Sequence, residues 1–125
     1  MKDYSSKNIV NVALVGHAAS GKTCLSESMS LVGNSIHKAG NIQGGSTLSD
    51  YRKQEIERQH SISMSLLNFE FLDKKINLID TPGYLDFVGE MKSALYVVDN
   101  AAIVINSIEG IEVGSELAWD FASEN

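Results

Sequence analysis

The chain has 125 residues, of which 43% are hydrophobic, so we expect at most one domain with a buried core and not a disordered segment. Its formal net charge of −6 argues against a nucleic-acid-binding face within these residues. The single cysteine, Cys24, excludes an internal disulfide, and the first residues hold no apolar signal core or membrane span. We therefore expect a cytoplasmic protein without a membrane partner.

Strands and helices alternate along the first part of the sequence. An apolar run predicts a buried parallel strand over Ile9–Val15, and the residues after it predict a helix over 22–32. Residues 34–62 combine Gly, Asn, Ser and Gln with a charged run, and a loop this long inside a compact domain is usually functional or disordered. Alternating apolar residues then predict an edge strand over 63–71, with a turn at 73–74.

Four further elements complete the predicted fold. They are a strand, a helix, a strand and a final helix, at residues 76–79, 86–99, 101–105 and 113–125. Strands that alternate with helices predict an α/β fold, in which a mostly parallel sheet lies between two layers of helices. In such sheets, ligands bind at the carboxyl ends of the strands.

A phosphate-binding loop is predicted directly after the first strand. Residues 16–23 read Gly-His-Ala-Ala-Ser-Gly-Lys-Thr and fit the pattern Gly-x-x-x-x-Gly-Lys-Thr, with a strand before and a helix after. The glycines let the backbone approach phosphates, Lys22 supplies positive charge, and the Thr23 hydroxyl can bind Mg²⁺. The motif predicts a phosphate-loop NTPase. The residues expected to contact the nucleotide are Gly16, His17, Ala18, Ala19, Ser20, Gly21, Lys22, Thr23 and Cys24.

An acidic residue at the end of an apolar strand forms the second motif. Asp80 is followed by Thr81, Pro82 and Gly83. Because phosphate-loop enzymes hold Mg²⁺ with a carboxylate in this position, usually through water, we expect Asp80 to support the metal. The backbone N–H of Gly83 can reach the γ-phosphate. Taken alone, the same four residues also make a good turn sequence.

Four segments of the sequence together resemble the translational GTPases, and most closely elongation factor G and its paralogues. These segments are residues 16–23, 50–63, 80–87 and 107–112, and their spacing also matches. The resemblance implies the amino-terminal portion of a GTP-binding domain, which binds GTP or GDP with Mg²⁺ and acts on the ribosome through the full-length protein.

The resemblance also implies roles for particular positions. Switch I would lie at about residues 34–62 and switch II at residues 80–90. Ser61 matches the switch threonine that completes the Mg²⁺ shell, and it keeps the hydroxyl but lacks the methyl group. Metal binding would therefore involve Thr23 and Ser61 directly and Asp80 through water. Loss of the γ-phosphate would release both switches.

Two positions depart from the pattern of these GTPases. Tyr84 stands where most of them have a histidine that orients the attacking water. We assign catalysis to Lys22 and Tyr84. A phenol is a poor substitute for an imidazole in the water-orienting role, so we expect weak intrinsic turnover. Alternatively, Tyr84 is a packing residue and another group positions the water. Ala19 replaces the usual aspartate near the phosphates, which removes a ligand for a monovalent cation.

For five other side chains the sequence favours a structural or solvent-exposed position over a catalytic role. We expect His17 to pack beside the loop, and His37 and His60 to be solvated within the long loop. Cys24 is expected to be a small buried packing residue. Trp119 on the last helix is expected to lie in the core or in an interface.

The Asn-Lys-x-Asp motif by which these GTPases recognise guanine does not occur in the sequence. The resemblance places that motif after the last predicted helix, so we expect an incomplete domain that lacks two strands and their helices. The strand at residues 101–105 would then be an exposed apolar edge through which the fragment self-associates. We expect the isolated fragment to be inactive.

Three functional classes remain open. The leading one is GTP binding with slow or ribosome-stimulated hydrolysis in an elongation factor G-like protein. The second is a nucleotide-dependent ribosome-binding module with negligible hydrolysis. The third is a phosphate-loop ATPase whose likeness to GTPases is confined to the phosphate site.

Overall fold

The computed structural model describes residues 2–124, which contain four strands and four helices. The strands are β1 (Ile9–Val15), β2 (Ser65–Phe71), β3 (Lys74–Asp80) and β4 (Asn100–Ile103). The helices are α1 (Lys22–Val32), α2 (Lys53–Arg58), α3 (Val88–Leu95) and α4 (Val113–Glu124). The predicted final helix includes residue 125, which lies outside the described residues.

The strands form a single sheet in the order β2-β3-β1-β4. β1 pairs in parallel with β3 and β4, whereas β2 pairs antiparallel with β3, so the predicted mostly parallel sheet is confirmed. β2 lies at an edge, as its alternating pattern predicts. Leu72 and Asp73 connect β2 to β3 with φ values of 48° and 58°, as a two-residue hairpin turn requires, one residue before the predicted turn.

The register of β1 against β3 places two functional segments at the same edge of the sheet. Leu14 pairs with Asp80, so the parallel strands end side by side. Lower in the sheet, Asn77 donates its side-chain amide to Asn11 over 2.8 Å, and Asn11 donates its own amide to Asp99 over 3.0 Å. These polar contacts help to fix the register because they form only when the strands are correctly aligned.

Helices cover both faces of the sheet, which confirms the predicted three-layer sandwich. The buried apolar residues on the α1 side are Leu14, Leu67, Phe69 and Leu78. Those on the side of α3 and α4 are Ala13, Val15, Met91, Ala94, Leu95 and Ala118. Successive residues of a strand point to opposite faces, so the continuous apolar run of β1 supplies both clusters.

α3 is shorter than the helix predicted over residues 86–99. A 3₁₀ turn, Leu85–Phe87, precedes the helix. The helix ends at Leu95 because the residues after it form hydrogen bonds with the sheet. The Asp99 N–H donates to the carbonyl of Asn11 over 3.0 Å, which is incompatible with a continued helix. The apolar spacing that extends to Val98 reflects real packing, since Val98 contacts the core from the connecting turn.

The last strand and helix place several large apolar side chains at the surface. β4 ends at Ile103, although the Val104 N–H still donates to Val15 over 2.8 Å. α4 buries Ala118, but Trp119 is 66% exposed and so is not a core residue. No helix within residues 2–124 has the length and apolar character that crossing a membrane would need.

Candidate nucleotide site

The loop between β1 and α1 has the conformation of an anion cradle. Gly16, Ala19 and Gly21 have φ values of 138°, 58° and 99°, so the backbone curls around the end of α1. Gly16 must be glycine because a Cβ at this position would collide with the carbonyl oxygen of Val104. The free N–H groups at the start of α1 and its helix dipole favour a bound anion at this point.

Lys22 lies folded back over this loop. Its ammonium donates to the carbonyls of Gly16 and His17 over 3.1 and 2.6 Å and lies 3.4 Å from the Ser20 hydroxyl. The side chain is buried, and burial lowers the pKa of Lys22 to about 8, although the negative charge of Asp80 partly opposes the shift. The amine is therefore held by groups that a phosphate can replace.

The three predicted metal-binding residues meet beside Lys22. The Thr23 hydroxyl donates to Asp80 Oδ2 over 2.8 Å and lies 3.5 Å from the Ser61 hydroxyl. The Ser61 hydroxyl in turn donates to Asp50 Oδ1 over 2.6 Å. Asp50 was not predicted as a site residue. The available signal was its place at the start of a segment that resembles GTPases, but its carboxylate was assigned no role there.

Asp80 is a buried carboxylate with one unpartnered oxygen. It is 1% exposed, and among residues 2–124 its Oδ1 has no hydrogen-bond partner. Burial raises the pKa of Asp80, while the hydroxyls of Ser49, Thr23 and Ser26 and the charge of Lys22 oppose the rise. Ser49 lies close enough to favour the charged form without satisfying Oδ1.

The hydroxyl oxygens of Thr23 and Ser61 and the carboxylate oxygens of Asp80 are the ligand type that Mg²⁺ prefers. The unpartnered Oδ1 of Asp80 suits a hydrogen bond to a metal-bound water. No group of three or more His, Cys, Asp or Glu within residues 2–124 forms a metal cage. A cation here would therefore take hydroxyl and phosphate oxygens as ligands, which is the usual pattern for Mg²⁺ at a nucleotide. Burial also raises the pKa of Asp50, as do the nearby charges of Asp80 and Glu55, while the Ser61 hydrogen bond opposes it.

The turn after β3 contacts the phosphate loop through its backbone. The Thr81 hydroxyl donates to the carbonyl of Leu14 over 2.7 Å and ties the turn to β1. A Cβ at Gly83 would lie 2.5 Å from Lys22 Nζ and 2.6 Å from the backbone nitrogen of Ala18. Glycine is thus required for this close approach. The phosphate loop and the turn after β3 together form one wall of the candidate site.

The motifs enclose a cavity of about 300 Å³. The predicted site residues that line it are Ala18, Ala19, Gly21, Lys22, Thr23, Cys24, Ser61, Gly83 and Tyr84. The predicted residues that do not line it are Gly16, His17, Ser20 and Asp80. The lining residues that sequence reasoning did not assign to the site are Ile42, Asp50, Gln59, His60 and Thr81.

Two expectations about isolated side chains are wrong. Cys24 is exposed, because it lies on the face of the first turn of α1 that borders the cavity and not on the face toward the sheet. His60 is half-buried, with its ring centroid 4.4 Å from that of Tyr84 and 6.4 Å from that of Phe87. His37 is exposed, as expected.

His17 packs beside the loop and faces the start of α4, as expected. Its Nδ1 accepts a hydrogen bond from the Gly114 N–H over 3.2 Å, and its Nε2 lies 3.5 Å from Glu112. The side chain therefore links the phosphate loop to α4 and does not line the cavity.

The long loop is folded around two buried glutamates and is not disordered. Glu27 of α1 accepts hydrogen bonds from the backbone N–H groups of Gly40, over 2.7 Å, and of Leu48. Glu55 of α2 accepts from Ile62 and Ser63 over 3.1 and 3.2 Å. It also accepts from the backbone N–H of Arg52 over 3.1 Å. Because the buried carboxylates accept from partly buried backbone donors, they hold the loop against α1 and Ser61 against Thr23.

Comparison with known proteins gives a consistent family assignment. The family model described as elongation factor Tu GTP binding domain matches residues 7–125. Mitochondrial ribosome-releasing factor 2 of Drosophila melanogaster is 36% identical over 124 residues, which cover 99% of this chain and 17% of that protein. The Drosophila sechellia protein of the same name is also 36% identical, with 99% and 18% coverage. The chain thus spans 17–18% of the length of these relatives.

Solved structures agree with this assignment. A protein of Thermus thermophilus superposes with a TM-score of 0.90 at 35% identity, over 93% of this chain and 18% of that one. Translation elongation factor SelB of Methanococcus maripaludis, solved with the GTP analogue GppNHp, gives a TM-score of 0.66 at 21% identity, over 90% of this chain and 19% of that one. The second likeness shows the fold alone. With the family match over residues 7–125, the chain belongs to the elongation factor Tu GTP binding domain family, the G domains of translational GTPases.

Proposed function

We propose that the chain forms the phosphate-binding part of a GTP- and GDP-binding site, in a protein similar to elongation factor G that hydrolyses GTP slowly or under ribosome stimulation. The observation that carries this proposal is the contact of Thr23 with both Asp80 and Ser61, directly beside the curled loop. Three chain segments far apart in sequence supply these hydroxyl and carboxylate groups at one point. Such an arrangement suits a metal-bound triphosphate.

The phosphates would be held by the loop backbone and Lys22. The backbone N–H groups of residues 18–23 would donate to phosphate oxygens, and Lys22 would exchange its carbonyl contacts for β- and γ-phosphate oxygens. Cys24 borders the same cavity and would contact the nucleotide. Gly83, held against Lys22, would present its backbone N–H to the γ-phosphate.

Mg²⁺ would be held by Thr23 and Ser61 directly and by Asp80 through water. The buried, unpartnered Oδ1 of Asp80 supports that role. Asp50, which already accepts a hydrogen bond from Ser61, would stabilise the same shell from outside. When bound, Mg²⁺ neutralises charge on the β- and γ-phosphate oxygens.

Residues 34–62 and 80–90 would act as switch I and switch II. Ser61 reaches Thr23 only while the long loop is docked by Glu27 and Glu55, so metal and γ-phosphate contacts would favour the docked loop. Loss of the γ-phosphate would remove those contacts from both segments. The exposed position of Trp119 on α4 suits an interface with other parts of the full-length protein.

The expectation of slow GTP hydrolysis rests on Tyr84. Its side chain borders the cavity and is 46% exposed. Changing Tyr84→His should raise GTP turnover of the full-length protein, measured as phosphate release with and without ribosomes, because an imidazole can both accept and donate a hydrogen bond. Equal turnover in the two proteins under both conditions would count against this role. Negligible turnover with intact nucleotide binding would favour the alternative of a nucleotide-dependent ribosome-binding module.

Guanine preference is supported by the family match, so a phosphate-loop ATPase is the weaker alternative. Calorimetric titration of the full-length protein with GDP and with ATP distinguishes them. Selective binding of ATP would overturn the GTPase proposal. We place the protein in the cytoplasm, whereas its Drosophila relatives are named as mitochondrial proteins, and imaging of the tagged full-length protein decides between these compartments.

We further propose that the isolated 125-residue chain self-associates and has no GTPase activity. β4 is the outermost strand on its side of the sheet, and Ile105 and Trp119 beside it are 47% and 66% exposed. An unpaired strand edge next to apolar side chains favours pairing with another chain. Sedimentation velocity should therefore show oligomers that grow with concentration. A monodisperse monomer with a cooperative melting transition would refute the expectation.

A further inference from the structure

We propose that the imidazole of His60 orients the attacking water during GTP hydrolysis, with the ring of Tyr84 holding it in place. This inference rests on the proposed GTPase function. Phosphoryl transfer to water needs a group that positions the water in line with the bond that breaks. His60 is the only histidine among the residues that line the described cavity, and sequence patterns had placed it in solvent.

The backbone directs His60 into the site. α2 ends at Arg58, and the next residue, Gln59, has a φ of 57° that turns the chain sharply after the helix. This turn brings His60 and Ser61 to the cavity that Lys22 and Gly83 also line. Since Ser61 lies 3.5 Å from Thr23, His60 is one residue away from the proposed metal shell.

One hydrogen bond fixes the orientation of the imidazole. His60 Nδ1 lies 3.2 Å from the carbonyl oxygen of Ser61. A carbonyl only accepts, so Nδ1 carries the hydrogen in this contact, and in the neutral ring Nε2 can then accept a hydrogen bond from water. Within residues 2–124, Nε2 makes no hydrogen bond.

Tyr84 and Phe87 restrict the position of the ring. The His60 and Tyr84 centroids are 4.4 Å apart with an interplanar angle of 46°, and the Phe87 centroid lies 6.4 Å from that of His60. Aromatic contacts at these distances stabilise one ring position. Tyr84 is therefore a positioning residue in this scheme, and its hydroxyl is not needed.

The reaction consumes only water and GTP. The oxygen of water bonds to the γ-phosphorus while the bond from that phosphorus to the bridging oxygen breaks, and GDP leaves with the bond's electron pair. One hydrogen of the water remains on inorganic phosphate, and the other passes to solvent as a proton. His60 Nε2 accepts a hydrogen bond from the water during attack and holds no net proton at the end.

Single-turnover GTP hydrolysis by the full-length protein on ribosomes tests the role of His60. His60→Leu fills similar space without a polar atom and should lower the rate about 100-fold. His60→Gln keeps a hydrogen-bonding group and should lie between His60→Leu and wild type. Added imidazole should restore part of the rate to His60→Ala, where there is room for it. Affinity for fluorescent GDP should stay within a factor of about 2 in all variants, because His60 does not hold the phosphates.

Tyr84 variants test the positioning role. Tyr84→Ala should slow hydrolysis without weakening GDP binding, because it removes the ring that packs against His60. Tyr96→Ala is the matched control, since Tyr96 is 64% exposed at the end of α3 and lies away from the cavity.

Each outcome decides the inference. A wild-type rate in His60→Leu overturns it and leaves the proposed GTPase function intact. Equal losses of rate and GDP affinity in His60→Leu and His60→Gln also overturn it, because they indicate a structural role. No hydrolysis by wild type on ribosomes overturns both this inference and the proposed hydrolysis, while GDP binding by itself would still support the nucleotide site.

Discussion

Burial lowers the pKa of Lys22 to about 8, so at pH 8 about half of the molecules carry an uncharged amine at this position. A bound diphosphate adds negative charge near this amine and favours its protonated form. Binding of GDP should therefore take up protons from solvent. For this group the uptake should grow from pH 7 to pH 9, because the share of uncharged amine grows as the pH rises through the pKa of about 8.

The sign of the pH effect follows from the same shift. Below pH 8 the ammonium is already present, so binding needs no additional proton and affinity for GDP is at its highest with respect to this group. As the pH rises through 8, a growing share of the molecules must first be protonated. The apparent Kd should then rise by up to about tenfold per pH unit.

Calorimetry of the full-length protein with GDP and Mg²⁺ measures the uptake directly. Titrations at pH 7, 8 and 9 in two buffers with different ionisation enthalpies give the number of protons from the difference in heat. Lys22→Arg is the matched control, because a guanidinium keeps the charge and does not titrate in this range. Equal uptake at pH 7 and pH 9, or unchanged uptake in Lys22→Arg, would show that Lys22 is not the responsible group.

Two more substitutions probe the metal shell and the long loop. Asp80→Asn removes a buried charge, so the nucleotide-free protein should melt at the same or a higher temperature, while Mg²⁺ affinity in the presence of GDP should fall about 10- to 100-fold; a lower melting temperature with unchanged Mg²⁺ affinity would contradict the assigned role. Glu55→Ala leaves three partly buried backbone N–H groups without their acceptor, so the long loop should open more often and tryptic cleavage after Arg58 should accelerate. Glu57→Ala is the control, because the Glu57 side chain is 62% exposed, and trypsin should cleave this variant at the wild-type rate.

The elements with local signals were predictable from the sequence. β1 and α1 have the predicted bounds because an apolar run, two spaced glycines and a following amphipathic segment each act over a few residues. The phosphate loop depends on the same short range. Its left-handed positions at Gly16 and Gly21 are the ones that a glycine motif would suggest.

The rest of the site depends on contacts between distant segments. The exposure of Cys24 depends on which face of α1 the long loop leaves uncovered. His60 lies against Tyr84 because β2 and β3 pair antiparallel, and no pattern within residues 50–63 indicates that the imidazole contacts that ring. The docking of the long loop on Glu27 and Glu55 was likewise invisible, since buried and exposed glutamates look the same in a charged run.

The two proposed switches are connected by the hairpin of β2 and β3, and each continues from one strand at its open end. Ser65 and Asp80 are paired at its open end, so His60 lies five residues from one anchor and Tyr84 four residues from the other. Short tethers of this kind give an effective concentration in the millimolar range for any contact between their tips. After nucleotide contacts are lost, the two rings would separate and meet again many times, because the hairpin keeps both segments attached. Weak contacts that form and break rapidly are therefore sufficient to couple the two segments.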